Sequence, residues 1–267
     1  MFPDRMDRIV LDGVVNAQNY YRRFGIDVDQ LLSADAAFRA ILAECIQAGP
    51  TKCALASINS NATDLEATLL GVADKYGKSP IAAGSTVINR RVVMELLFVV
   101  IKYTSDLPNA TRHIANLVTG TNLTAVAEYY NSLNAGIAMG DDDSFYGIKC
   151  SDTFPRAAGL SDIMPDVQRM IETSELFGNL LAPVATQCAS WPWEAKERYN
   201  GQFLGESKIK TKTPVLFIGN TYDPATPLAS AKNMSAAFEG SAVVEQHGFG
   251  VSCFSSTPKA RNWGHDG

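Results

Sequence analysis

Pro214-Val215-Leu216-Phe217-Ile218-Gly219-Asn220 runs directly into Thr221-Tyr222-Asp223-Pro224-Ala225-Thr226-Pro227-Leu228. The first run is short, apolar and rich in β-formers, which reads as a buried strand. Beyond the two prolines, Leu228, Ala231, Met234 and Phe238 recur at helical spacing and Gly240 ends the segment. Ser241-Ala242-Val243-Val244-Glu245-Gln246-His247-Gly248 is a further β-rich run. Strand, helix and strand with short connections form a βαβ unit, which requires parallel strands with helical cover. Working outward, Arg8 to Val15 is another short β-rich run, closed by the turn signal Asp12-Gly13, and reads as a buried strand. The expected class is therefore α/β.

From about residue 29 to 200 the pattern changes to mainly helical, as in DQLLSADAAFRAILAECIQAG, NATDLEATLLGVADKYG, NRRVVMELLFVVIKYTS, NLTAVAEYYNSLNAG and DIMPDVQRMIETSELFGNLL. Polar residues near helix starts (Asn61, Asp162) and glycine at ends (Gly49) supply the capping chemistry. The expected organisation is a core of residues 1–28 and 201–267 interrupted by a helical insertion over 29–200. Gly140-Asp141-Asp142-Asp143 reads as a solvated acidic loop, lacking the glycine and glutamate placement of an EF-hand.

Composition limits the partners. With 46% hydrophobic residues in 267 the chain can bury a sizeable core, and a net charge of −5 without a basic stripe argues against nucleic acid. The most apolar stretch, Val92 to Ile101, contains Glu95 and is about half the ~20 residues a membrane span needs, so no membrane is expected. The charged start Asp4, Arg5, Asp7, Arg8 is not a secretory leader, so the chain as written reads as cytoplasmic. Five cysteines and N-x-S/T triplets at Asn61, Asn109, Asn122 and Asn233 point the other way, toward descent from a secreted protein. Cys45 and Cys53 flank a short loop and Cys150 could pair with Cys188, leaving Cys253; buried free thiols are the competing reading.

Asp223 follows the end of a parallel strand, where α/β folds place their active sites. An acid there can orient a histidine in a Ser-His-acid triad, or it can simply cap the following helix. Spacing alone leaves both open.

TPVLFIGNTYDPATPLASAKNMSAAFEGSAVV resembles the C-terminal segment of the tripeptidyl-aminopeptidase-like (TAP-like) α/β-hydrolases, common as secreted enzymes of fungi and actinobacteria. FPDRMDRIVLDGVVNAQNYY resembles the segment after the nucleophile elbow and its helix in that family, and CIQAGPTKCALA, IKCSD and CASWPWEAKERYNGQF match its cap and the return to the core. The resemblance implies a partial α/β-hydrolase fold of about three parallel strands with a large helical cap insertion. It implies hydrolysis of a small peptide, amide or ester substrate by a serine nucleophile, without metal or organic cofactor. Some relatives trim intermediates of secondary metabolism. Asp223 would be the triad acid, Asp12 would lie at the end of the strand after the nucleophile strand, and Cys45–Cys53 and Cys150–Cys188 would be disulfides.

Two departures shape the expectation. No G-x-S-x-G occurs, and Met1-Phe2-Pro3-Asp4-Arg5 matches an internal segment of the family, as if the nucleophile elbow lay upstream. Where the family has histidine after a glycine, this chain has Val251 in Gly248-Phe249-Gly250-Val251-Ser252-Cys253, and valine moves no proton. His247, four residues earlier, is the substitute candidate; His265 lies in a divergent tail, and His113 reads as a surface or capping residue. Ser252 and Cys253 sit on no elbow, and the pairs Ser207/Lys210 and Ser256/Lys259 lack a supporting motif. The leading expectation is a truncated hydrolase, inactive alone; the rivals are an incompletely assigned active hydrolase and a non-catalytic binding module working with a partner chain. The strand holding Val10 and Leu11 would lie at an exposed edge, a template for self-association.

Overall fold

The computed structural model describes residues 5–134, 141–198 and 208–251. Its described residues fall into two compact units, one within 5–35 and 143–251 and the other within 36–142.

The first unit carries a parallel sheet of order β1-β4-β5, with β1 at Ile9–Asp12, β4 at Val215–Tyr222 and β5 at Ala242–Phe249. This is a mixed α/β arrangement, a three-stranded parallel sheet accompanied by many helices. Ile9 pairs with Val215 and Asp12 with Ile218, while Leu216 pairs with Ala242 and Asn220 with Gln246. The register shifts between Asn220 and Tyr222, so that Tyr222 lies opposite Phe249, ring on ring at 4.9 Å. Helix α11 (Leu228–Ala236) buries Leu228, Ala231 and Met234, the residues whose spacing marks it in the sequence. Phe238 lies beyond its end, its ring 5.6 Å from Phe217, and Gly240 turns the chain with φ 69° into β5. Val14, Val215, Phe217, Ala231 and Met234 form the buried cluster between sheet and helix. Gly219 makes that approach possible, because a Cβ there would stand 3.0 Å from Leu228 Cδ1 and 3.3 Å from Ala231 Cβ.

The same unit holds the short α1 (Ala17–Tyr20) and α2 (Gly25–Asp29), then, after the second unit, α8 (Asp141–Asp152), α9 (Leu160–Thr173) and α10 (Gly178–Ala189). One expectation is corrected here: the backbone from Asp141 begins α8 rather than a loop. The helical pattern from Asp162 to Leu181 is carried by two helices. Ser174 breaks it, its hydroxyl donating to Asp35 and accepting from the Phe177 amide. Gly178 permits the turn, since a Cβ would meet the Met170 carbonyl at 2.4 Å. Cys150 and Cys188 are joined by a disulfide, as the resemblance implies. Arg156 donates to the carbonyls of both cysteines and to those of Thr153 and Trp193, tying the bridged helix ends together.

The second unit contains most of α3 (Ala34–Ala48), then α4 (Ala62–Lys78), a hairpin of β2 (Ile81–Ala83) and β3 (Thr86–Ile88), α5 (Arg90–Lys102), α6 (Leu107–Thr119) and α7 (Leu123–Asn134). Gly49 leaves α3 with φ 78°, and the second expected disulfide, Cys45–Cys53, closes the turn behind it. Asn61 caps α4 by accepting from the Asp64 amide at 2.8 Å. Helix α5 buries Val92, Val93, Leu96, Leu97, Val100 and Ile101. No helix among the described residues is long and apolar enough to cross a membrane.

Candidate active site

β4 is the central strand of the sheet, and Asp223 is the first residue beyond it. Its side chain is wholly buried, at 0% exposure. One carboxylate oxygen accepts from the Ala225 and Thr226 amides at 2.8 and 2.7 Å; the other accepts from the Thr226 hydroxyl at 2.8 Å. Pro224 and Pro227 bracket this turn, and Pro227 rather than Asp223 stands at the N-cap of α11. The carboxylate therefore organises the turn that leads into the helix. It does not cap the helix directly, which corrects the capping alternative.

The chain leaving β5 returns to the same place. The Gly250 amide donates to the Tyr222 carbonyl at 3.2 Å, and the Asn220 side-chain amide donates to the Gly250 carbonyl at 3.1 Å. Asn220 and Gly250 are both buried. Val251, where the resemblance places the general base, thus follows a residue anchored on both sides of the last turn of β4. Asp12 ends β1, in register with Ile218.

His247 lies exposed on β5, and its Nδ1 is 3.2 Å from the Thr221 hydroxyl, which also donates to the Gln246 carbonyl. The ring is thereby engaged two residues before Asp223. His113 is partly buried and lies inside a helix rather than at a cap. It lies within α6, stacked at 4.4 Å on Tyr129, with Nδ1 buried and without a hydrogen-bond partner among the described residues. Desolvation, with a smaller contribution from Arg112, pulls its pKa below the usual histidine value against an opposing pull from Asp106. Tyr129 donates to Asp106 at 2.7 Å, and burial followed by that bond raises its phenol pKa. Ser207, Ser252, Cys253, Ser256, Lys259 and His265 lie outside the described residues.

A depression of about 460 Å³ between α3 and α4 is lined by Arg39, Ala62, Thr63, Glu66, Ala67 and Leu70. Arg39 grips Glu66 through both carboxylate oxygens at 3.1 Å, so its two charged groups neutralise each other. Among the described residues no group of three or more His, Cys, Asp or Glu side chains is placed to hold a metal. Sequence reading missed the Lys149–Asp27 ion pair, whose side chains are 9% and 5% exposed and 122 residues apart. No local pattern marks either residue.

A buried acid just past the C-terminal end of the central parallel strand sits where open α/β sheets place their ligand sites. Residues 174–261, about a third of the chain, match the family model of the TAP-like proteins, and that stretch includes β4, Asp223, α11 and β5. It is the same C-terminal portion that NTYDPATPL and its surroundings resemble. No curated protein matches the chain.

Proposed function

We propose that this chain supplies the acid-bearing C-terminal part of a serine hydrolase acting on peptide, amide or ester bonds, with Asp223 in the place of the triad acid. The observation that carries the reading is the burial of Asp223 at the end of the central strand beside the anchored Gly250-Val251 turn. A triad acid is buried, fixes the orientation of the imidazole and stabilises the imidazolium as it forms. A carboxylate already held by three donors costs little reorganisation in that role. His247 is a poorer substitute for the base than a histidine at position 251 would be, because serving Asp223 requires breaking its contact with Thr221.

In this reading the 267 residues do not hydrolyse substrate by themselves. No G-x-S-x-G presents a serine, and Val251 takes no proton. The nucleophile has to come from outside these residues. The two disulfides and the exposed sequon residues Asn61, Asn122 and Asn233 support descent from a protein that folds in an oxidising compartment.

Two measurements test the proposal. The chain alone should neither react with a fluorophosphonate probe nor turn over simple esters, whereas a longer native product carrying an upstream G-x-S-x-G should do both. In Val251→His, NMR titration should show an imidazole pKa raised by about 1 unit or more, because a carboxylate within reach favours the charged ring. The rise should vanish when Asp223→Asn is added. An unchanged pKa in the presence of Asp223 would show that position 251 does not address this carboxylate, and the triad assignment would fall.

A further inference from the structure

We infer that Asn122 is a glycosylation site, its side-chain amide carrying an oligosaccharide transferred from a lipid-diphosphate donor. The inference rests on the part of the proposed function that has the protein fold in an oxidising compartment, and not on the hydrolase assignment. In the transfer, Asn122 Nδ2 bonds to the anomeric carbon of the sugar and the bond from that carbon to the diphosphate oxygen breaks. The lipid diphosphate leaves with the electron pair, and one amide proton passes to a base of the transferase. Nothing is oxidised or reduced.

The fold sorts the four N-x-S/T triplets of the sequence. Such an acceptor must offer two groups together, the asparagine amide that takes the sugar and the hydroxyl two residues on. Asn109 fails first. It is half-buried in the first turn of α6, its oxygen accepting from Arg112 at 3.4 Å, and its partner Thr111 is 1% exposed with the hydroxyl donating to the Leu107 carbonyl at 2.8 Å. Asn233 is exposed on α11, but the Ser235 hydroxyl of its triplet is 2.7 Å from that of Ser241. Asn61 spends its side chain on Asp64, donating to the carboxylate at 2.6 Å and accepting from the amide at 2.8 Å. Asn122 and Thr124 are both exposed, and neither side chain makes a hydrogen bond among the described residues. The Asn122 carbonyl accepts from the Val126 amide at 3.2 Å, so the backbone starts α7 and leaves the side-chain amide to solvent. Its φ of 48° favours asparagine, which accounts for one half of the motif only. Thr124 is a poor helix former in the first turn of α7, and the backbone of Asn122 does not call for it. The compartment is supported independently by the disulfides Cys45–Cys53 and Cys150–Cys188, one in each unit.

The test uses the native protein purified from the cells that make it, alkylated before reduction. Peptide-N-glycosidase in heavy-oxygen water then turns each glycosylated asparagine into a labelled aspartate. Trypsin cuts after Arg112, so Asn109 and Asn122 fall on different peptides. The label should appear at Asn122 and not at Asn109, with Cys45, Cys53, Cys150 and Cys188 shielded from the alkylating agent by their bridges. Thr124→Ser should keep the label at Asn122 and Thr124→Ala should abolish it, although both leave the asparagine itself intact. An unlabelled Asn122 beside oxidised cysteines would overturn the inference while the oxidising compartment stands. An unlabelled Asn122 beside free thiols, as the cytoplasmic reading of the chain expects, would overturn both. A label at Asn109 in place of Asn122, or one at Asn122 that survives Thr124→Ala, would overturn the site assignment.

Discussion

Truncating Asp223 to alanine removes one acceptor group from three donors at once, and the structure sets the size of the loss. The Ala225 and Thr226 amides and the Thr226 hydroxyl all end on this carboxylate, at 2.7 to 2.8 Å. Ala225 and Thr226 are only partly buried, so water can reach them once the carboxylate is gone. The low end of the cost of an unmade bond therefore applies, about 1 kcal/mol for each donor, for a total near 3 kcal/mol. Asp223→Asn keeps an oxygen for the two amides and an amide group for which the threonine hydroxyl can turn acceptor; it forfeits mainly the charge assistance, about 1 kcal/mol. The expected order of stability is wild type, then Asn, then Ala, with about 2 kcal/mol between the two variants. Urea unfolding followed by circular dichroism, with the disulfides intact, measures it. If Asp223→Ala is no less stable than Asp223→Asn, the carboxylate does not hold this turn. If Asp223→Ala exceeds the wild type, the buried charge is strained, and the reasoning fails in the opposite direction.

Three further outcomes rest on the geometry. Gly219→Val should destabilise by about 1–3 kcal/mol, seen as a lowered midpoint of urea unfolding, because its side chain must enter the space held by Leu228 and Ala231. Lys149→Met should cost about 3–5 kcal/mol by leaving the Asp27 carboxylate buried without its cation, and adding Asp27→Leu should recover most of that loss. Stability should fall as pH drops below about 6.5. The His113 pKa is lowered in the folded state, so the unfolded chain binds the proton more readily; the benefit of a neutral ring is complete above the unfolded pKa and is lost as pH falls toward the folded one. His113→Phe keeps a ring against Tyr129 and should flatten that part of a thermal-stability profile measured between pH 7 and about pH 5.

The parallel sheet and the position of Asp223 were legible in the chain because both are written locally. β4 is a continuous apolar run, α11 carries its buried face at helical spacing, and Asp223 follows the strand within a proline-bracketed turn. Gly49, Asn61 and Gly240 marked ends or caps where the backbone has the matching conformation or bond. The disulfide pairing needed the family resemblance, since spacing alone left free thiols as an alternative. Beyond the reach of the sequence was the set of groups that Asp223 touches. Its partners lie two and three residues away, but choosing them over the N–H groups of α11 depends on how Pro224 and Pro227 bend the chain.

By itself, then, the sequence determined the α/β class, the strand–helix–strand unit, the acid just past its first strand and the absence of a serine elbow and of a histidine at position 251. Those features reside in residue identity and short periodicity, which survive without knowledge of distant neighbours. Only the tertiary structure decided that Ser174 splits a helix by binding Asp35, that Lys149 is neutralised by Asp27, and that Gly250 is fastened to both Asn220 and Tyr222. Each of these joins residues about 30 or more positions apart, and a hydrogen bond or ion pair at that separation forms only where packing has already brought its two ends within ~3 Å.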